Sequence, residues 1–170
     1  MMGIPKHLKS IFHSTSKDGA EGDIICECGC DTFGIRYFGE NEIIGNIGLS
    51  KYNGKYALTV HTVCRNCGKE WEIFDFAKHG FDGVVNEDGN SVPESELIDA
   101  TAGEERDFKV KMSIELFDED VFLEEFVENP PEGMIFTPED RFNIWSWVVI
   151  DLKCAKSGLE LMDFVNIELA

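Results

Sequence analysis

The chain has 170 residues, enough for one ordinary domain or two small ones, and its 43% hydrophobic content excludes a wholly disordered protein. No run approaches the roughly 18–20 consecutive apolar residues of a membrane helix and residues 1–23 lack the apolar core of a signal peptide, so a cytoplasmic protein is expected. The net charge of −18 is unevenly spread, with nine Lys and Arg against ten Asp and Glu in residues 1–80 but six against 23 in residues 81–170; the second half would repel nucleic acid and anionic membranes and attract a basic protein.

Residues 1–22 are polar and mixed apart from an amphipathic turn at Leu8, Ile11 and Phe12, and Gly19 and Gly22 interrupt regular structure, so a mobile or loosely docked arm is expected. Residues 23–81 read as short strands over 33–38, 43–52, 55–63 and 70–76. Asn53-Gly54 lies between two of them, a strong hairpin signal because both central residues of a type I′ turn need positive φ. An antiparallel meander is expected. Residues 82–106 turn to Gly, Asn, Ser, Pro and acid, the composition of a linker, with at most one short helix, over about 93–100.

Residues 107–170 read as a second, acidic α+β unit. Phe108, Val110, Met112, Ile114 and Leu116 alternate with polar residues, the period of a strand with one buried face. Over 118–129 the period changes: Phe122 with Phe126 and Leu123 with Val127 are i,i+4 pairs, Asp118 can cap the first turn, and Asn129-Pro130-Pro131 closes the helix. Thr137-Pro138-Glu139-Asp140 starts a short helix. Phe142, Ile144, Val148, Ile150 and Leu152 then alternate with Trp145, Trp147 and Val149 on the reverse side, and Ser157-Gly158 turns the chain into a last strand over 159–169. The fold class is thus mainly β with α+β character: an antiparallel sheet, then a small antiparallel sheet of three strands with one helix covering it. The two sheets form two domains, or share one core with 82–106 as a surface loop.

Six cysteines in a reducing compartment are metal ligands or buried thiols rather than disulfides. Five fall in two groups, Cys26-Glu27-Cys28-Gly29-Cys30 and Cys64-Arg65-Asn66-Cys67-Gly68, and only Cys154 stands alone. A Cys-x-x-Cys-Gly turn presents two thiolates because the glycine lets the chain fold back, and four thiolates from two such loops close a tetrahedral zinc shell. Cys26, Cys28, Cys64 and Cys67 are the preferred set; Cys30 could replace Cys26 or Cys28, and free or buried thiols without metal are the remaining reading. These knuckles, with Phe33 and Trp71 following them, resemble the zinc-ribbon superfamily over about residues 23–80. The resemblance implies two knuckles at the ends of a small antiparallel sheet and one structural zinc. The sequence departs from the commonest pattern in its Cys-x-Cys first knuckle and in the 35 residues between Cys28 and Cys64, where about 15–20 is usual. The hairpin at Asn53-Gly54 accounts for the excess.

Cys154-Ala155-Lys156-Ser157-Gly158 has the frame of the second knuckle with serine in the second cysteine position. It is either a decayed copy or a chance match in a short turn, and Cys154 read plainly is a small buried hydrophobe. Asp118, Glu119, Asp120, Glu124, Glu125 and Glu128 crowd one helix, which read plainly is a solvated face. The loop 86–90 lacks EF-hand spacing, and the histidines at 7, 13, 61 and 79 are scattered. Trp145 and Trp147 share one strand face, either core or a partner surface rimmed by Asp118, Asp120, Glu124 and Glu125. No catalytic signature stands out. The expected function is a non-enzymatic, zinc-stabilised interaction protein that docks a basic partner, in one version an inhibitor or immunity-type protein. Nucleic-acid binding by the ribbon, and a carboxylate-based metal hydrolase around 118–128, are the alternatives.

Overall fold

The computed structural model describes residues 4–18, 20–43, 45–86 and 89–169. Strand β1 (Phe12–Ser14) pairs with β2 (Glu21–Ile24). The meander expected from sequence follows as β3 (Phe33–Phe38), β8 (Thr59–Cys64) and β9 (Glu70–Asp75), all antiparallel. Between β3 and β8 the run expected as one strand over 43–52 is split, because Gly45 at φ 83° turns the chain back. The result is two small hairpins, β4 (Glu40–Ile43) with β5 (Asn46–Gly48) and β6 (Ser50–Tyr52) with β7 (Lys55–Ala57). The second turns at Asn53 and Gly54, φ 51° and 82°, the positive pair that a type I′ turn requires.

A second meander comprises β11 (Phe108–Leu116), β12 (Trp145–Cys154) and β13 (Glu160–Glu168). Strand β11 joins the two. One edge is fully paired with β12; the other meets β2 at Lys111–Ser113 and β3 at Phe108. The protein is thus mainly antiparallel β, one curled sheet with the two small hairpins beside it. The curl brings Phe74 of β9 to 6.2 Å from Trp145 of β12, and Tyr37 of β3 edge-on to Phe164 of β13 at 5.5 Å, measured between ring centroids. Phe33, Ile35, Val60 and Ile73 from the first meander and Val110, Met112, Ile150 and Val165 from the second lie in one buried cluster.

Several expectations change. Residues 93–100 are not helical: after a single 3-10 turn, Glu94–Glu96, the chain forms β10 (Ile98–Asp99) against Tyr37 and Arg36. The free edge of β3 carries backbone donors and acceptors that need partners, and this segment, with Ala100 N–H donating to Ile35 C=O at 2.8 Å, supplies them. The acidic helix is present as α1 (Glu119–Phe122), continued in wider π geometry by Leu123–Glu128, with Asp118 at its N-cap position but no side-chain cap bond. It does not cover the second meander, whose buried face is taken by the first. Phe122 and Phe126 instead build a separate small core with Val85 and Ile144. The segment opened by Thr137 is a 3-10 helix, Pro138–Asn143, in which Asp140 accepts the Thr137 N–H at 2.7 Å.

The arm expected to be loose is docked. Leu8 and Ile11 are fully buried and Phe12 nearly so, and Ile25 N–H donates to Ile11 C=O at 2.8 Å. The sequence held the apolar triplet; what it lacked was the partner surface. His7 stacks on His79 with ring centroids 3.7 Å apart and 3° from parallel, and both rings lie along Trp145. His7 Nε2 bonds Ile73 C=O at 3.0 Å, and His79 Nδ1 accepts the Asp75 N–H at 2.9 Å. Burial lowers the His7 pKa, and burial, followed by repulsion from the His7 ring once that is protonated, pushes His79 down to about 3.

Two outcomes follow. Ile11→Ala should cost about 3 kcal/mol in urea unfolding, as for a large-to-small change in a filled core; a loss under about 0.5 kcal/mol would mean the arm is not held. The unfolded histidine titrates near 6.5 and the folded His79 near 3, so the unfolded chain binds the extra proton between them and stability falls as pH drops below 6.5. Glu72, held at about 2 by its bond from His61 and by Lys78, adds a loss of the same sign below 4.5, whereas Asp75, raised by burial, works in the opposite direction. Comparison of the urea midpoint with that of His79→Asn, which keeps an acceptor for the Asp75 N–H, isolates the histidine: the variant should lose less stability between pH 6.5 and 4.5.

Candidate metal centre

Where the chain leaves the edge of β11 after Ile24 and returns to it at Phe33, the excursion forms the first knuckle. Cys26 N–H donates to Cys30 C=O at 2.9 Å and Gly29 N–H to Cys26 C=O at 2.8 Å, with Gly29 at φ 89°. The second knuckle is the turn between β8 and β9, where Cys64 N–H donates to Lys69 C=O and Gly68 N–H to Cys64 C=O, both at 2.9 Å, with Gly68 at φ 75°. Any side chain would have open space at these two glycines. The requirement is therefore backbone conformation, not room.

The two turns bring Cys26, Cys28, Cys64 and Cys67 together, all four Sγ atoms lying within 4.8 Å of one another. Sγ separations are 3.6 Å for Cys26 to Cys67 and 3.5 Å for Cys28 to Cys64. A tetrahedron with metal–sulfur bonds of about 2.3 Å has edges of roughly 3.8 Å, so the four sulfurs fit a single ion with little movement. Cys30 is not among them: its sulfur is taken up locally by Thr32, accepting from the N–H and facing the C=O, each at 3.5 Å. Among the described residues, these four cysteines are the group of His, Cys, Asp and Glu donors that converges closely enough to share an ion.

Polar neighbours favour thiolate. Asn66 Nδ2 donates to Cys28 Sγ and Cys67 N–H to Cys64 Sγ, both at 3.5 Å. Asn66, and then the Cys30 N–H, lower the Cys28 pKa. At Cys64 burial disfavours the charge, but the N–H groups of Cys67 and Asn66 outweigh it and the thiol falls to about 6. At Cys67 the Lys69 N–H favours ionisation, yet the other three sulfurs and burial overrule it and push the thiol up to about 12. Four negative sulfurs at this spacing oppose one another, and a bound cation would remove that opposition. Lys69 also bridges the knuckles, its Nζ 3.2 Å from Glu27 and 4.0 Å from the centre of the Trp71 ring.

The other candidates are placed differently. Asp118, Asp120, Glu124 and Glu125 are exposed on the short helix and its entry. Trp145 and Trp147 do not share a surface: a register shift opposite them, between Glu115 and Leu116, leaves Trp145 fully buried beside Phe74 while Trp147 is 37% exposed. His61 lies near Glu70 and Glu72, and Glu87 and Asp88 of the acidic loop lie outside the described residues. The His7–His79 pair was not foreseen, since nothing in the spacing of residues 72 apart signals a stack. Comparison with protein-family models, with curated proteins and with solved structures finds no match.

With cobalt(II) as probe, Cys30→Ser should keep the parent's affinity and thiolate-to-metal absorption, and each of Cys26→Ser, Cys28→Ser, Cys64→Ser and Cys67→Ser should bind more weakly and with lower absorption per ion. Asn66→Ala, which removes a donor to a ligand sulfur, should weaken cobalt binding roughly 10–100-fold in a competition titration. Equal loss in Cys30→Ser would reassign the ligands.

Proposed function

We propose that the four cysteines hold one structural zinc ion and that the protein is a non-enzymatic interaction module whose acidic half docks a partner with a basic surface. The convergence of four sulfurs carries the first part. Four thiolates leave no open coordination position for substrate or activated water, which favours a structural over a catalytic ion. Thiolate ligands need a reducing compartment, consistent with a cytoplasmic protein.

The second part rests on charge. Residues 81–170 contain 23 acidic against six basic residues, and the short helix exposes Asp118, Asp120, Glu124 and Glu125. A field of this sign accelerates encounter with a cationic protein and rejects anionic competitors. An inhibitor or immunity-type role, covering a basic active site, is the concrete form of this reading. Nucleic-acid binding is disfavoured because the first half has no net positive charge and four of its nine basic side chains are paired: Arg36 with Glu70, Arg65 with Asp107, Lys69 with Glu27 and Lys78 with Glu72.

Protein purified under reducing conditions should contain one zinc per chain, and a strong chelator should lower its thermal midpoint; zinc-free protein of unchanged midpoint would contradict the first part. For the second, proteins retained on the immobilised chain from a cell extract should be basic and should elute with salt. Retention should drop for Asp120→Asn/Glu124→Gln/Glu125→Gln, and retention indifferent to both salt and these substitutions would contradict the charge-based reading.

A further inference from the structure

The turn between β12 and β13, with the strand pairs next to it, repeats the turn between β8 and β9 that carries Cys64 and Cys67. Cys64 lies opposite Phe33 of β3, and Cys154 lies opposite Phe108 of β11. Cys154 N–H donates to Leu159 C=O at 2.8 Å and Gly158 N–H to Cys154 C=O at 3.0 Å, the two bonds that Cys64 and Gly68 make at 2.9 Å. Gly68 and Gly158 share a φ of 75°. Arg65 N–H donates to Thr32 C=O at 3.0 Å, just before Phe33, as Ala155 N–H does to Asp107 C=O at 2.9 Å, just before Phe108.

The correspondence runs beyond the turn. Below the shift the pairs correspond, Thr62 with Trp71 and Val63 with Glu70 in one hairpin, Leu152 with Leu161 and Lys153 with Glu160 in the other; each hairpin then has a register shift at the same height, after Val60 and after Ile150, the second the wider by one residue. Val60, Thr62 and Cys64 point into the core, and so do Ile150, Leu152 and Cys154. Phe74 and Phe164 are the buried aromatics of the two last strands. A chance match in a five-residue turn would carry neither strand register nor the position of an irregularity.

What differs is the closure. In the first copy the loop before Phe33 meets the knuckle through sulfurs. In the second, the loop before Phe108 sends Glu105 to the knuckle: Oε1 accepts the Ser157 N–H at 2.9 Å and Oε2 accepts the Ser157 hydroxyl at 2.7 Å. Ser157 stands where Cys67 stands in the first copy.

We infer that the two meanders are copies of one unit and that the Glu105, Cys154 and Ser157 cluster is the counterpart of the metal centre, holding its knuckle with a carboxylate in place of an ion. The inference rests on the reading of the first four cysteines as a metal centre. Cys154, 1% exposed, keeps one ligand; burial, and then the neighbouring Glu105 carboxylate, raise its thiol pKa. Two thiolates and a carboxylate are an accepted donor set for zinc or cobalt(II), so one substitution separates this cluster from a three-ligand site. Ser157 is exposed, and a sulfur there leaves the core intact.

Cobalt(II) is titrated into the reduced full-length chain, into Ser157→Cys, into Ser157→Cys/Glu105→Ala and into Glu105→Cys/Ser157→Cys, with metal per chain and the thiolate-to-metal absorption as readouts and circular dichroism as the folding check. The expected result is one ion in the parent and two in Ser157→Cys, the second weaker than the first and lost when Glu105 is removed. The parent ratio reports on the first centre alone, and the difference between variant and parent on the second. No ion beyond the parent ratio in either Ser157→Cys or Glu105→Cys/Ser157→Cys would overturn the assignment.

Discussion

Two loops far apart in sequence must meet at four sulfur atoms, and much of the topology follows from that meeting. The first loop is an interruption in the pairing along β11: Asp23 ends one paired stretch, Phe33 begins another, and the chain between them leaves β11 to form the Cys26–Cys28 knuckle. The second is the turn of the β8–β9 hairpin. Clasping them holds the loop between β2 and β3, which follow one another along one edge of β11, against the β8–β9 turn. An ion at this point would tie the loop between β2 and β3, two strands that share one edge of β11, to the turn of the β8–β9 hairpin. Without a cation, the sulfurs that draw the loops together would repel one another once ionised.

The charge asymmetry does not enter the core. The shared interior is made mostly of Phe, Ile, Val, Leu and Trp side chains from both halves, while the acidic excess among the described residues of 81–170 lies on the short helix, on loops and on the solvent side of strands. Electrostatic character and structural division therefore follow different lines. A chain that reads as two objects by charge has one sheet. The consequence is an acidic surface held by a scaffold that it does not need to stabilise.

Local signals in the sequence were legible. The cysteine spacings singled out Cys26, Cys28, Cys64 and Cys67, whose sulfurs converge, because knuckle geometry is decided within five residues. Asn53-Gly54 and the alternation from Phe108 to Leu116 were readable for the same reason. What escaped was long-range. Leu8, Ile11 and Phe12 form an apolar triplet whose burial depends on a surface built by later strands. The segment 93–100 has helix-compatible residues, yet the unpaired edge of β3 makes strand the better use of it. Trp145 and Trp147 were placed on one face by simple alternation, which a single register shift undoes. The helix at 119–128 was recognised by its period, but no period tells which surface Phe122 and Phe126 will meet.

The most direct measurement is X-ray absorption at the zinc edge on protein purified reduced and without added metal. A structural centre built by these two knuckles predicts one bound zinc with four sulfur neighbours at about 2.3 Å and no nitrogen or oxygen in the first shell. Absence of zinc, or a shell containing fewer than four sulfurs, would contradict it.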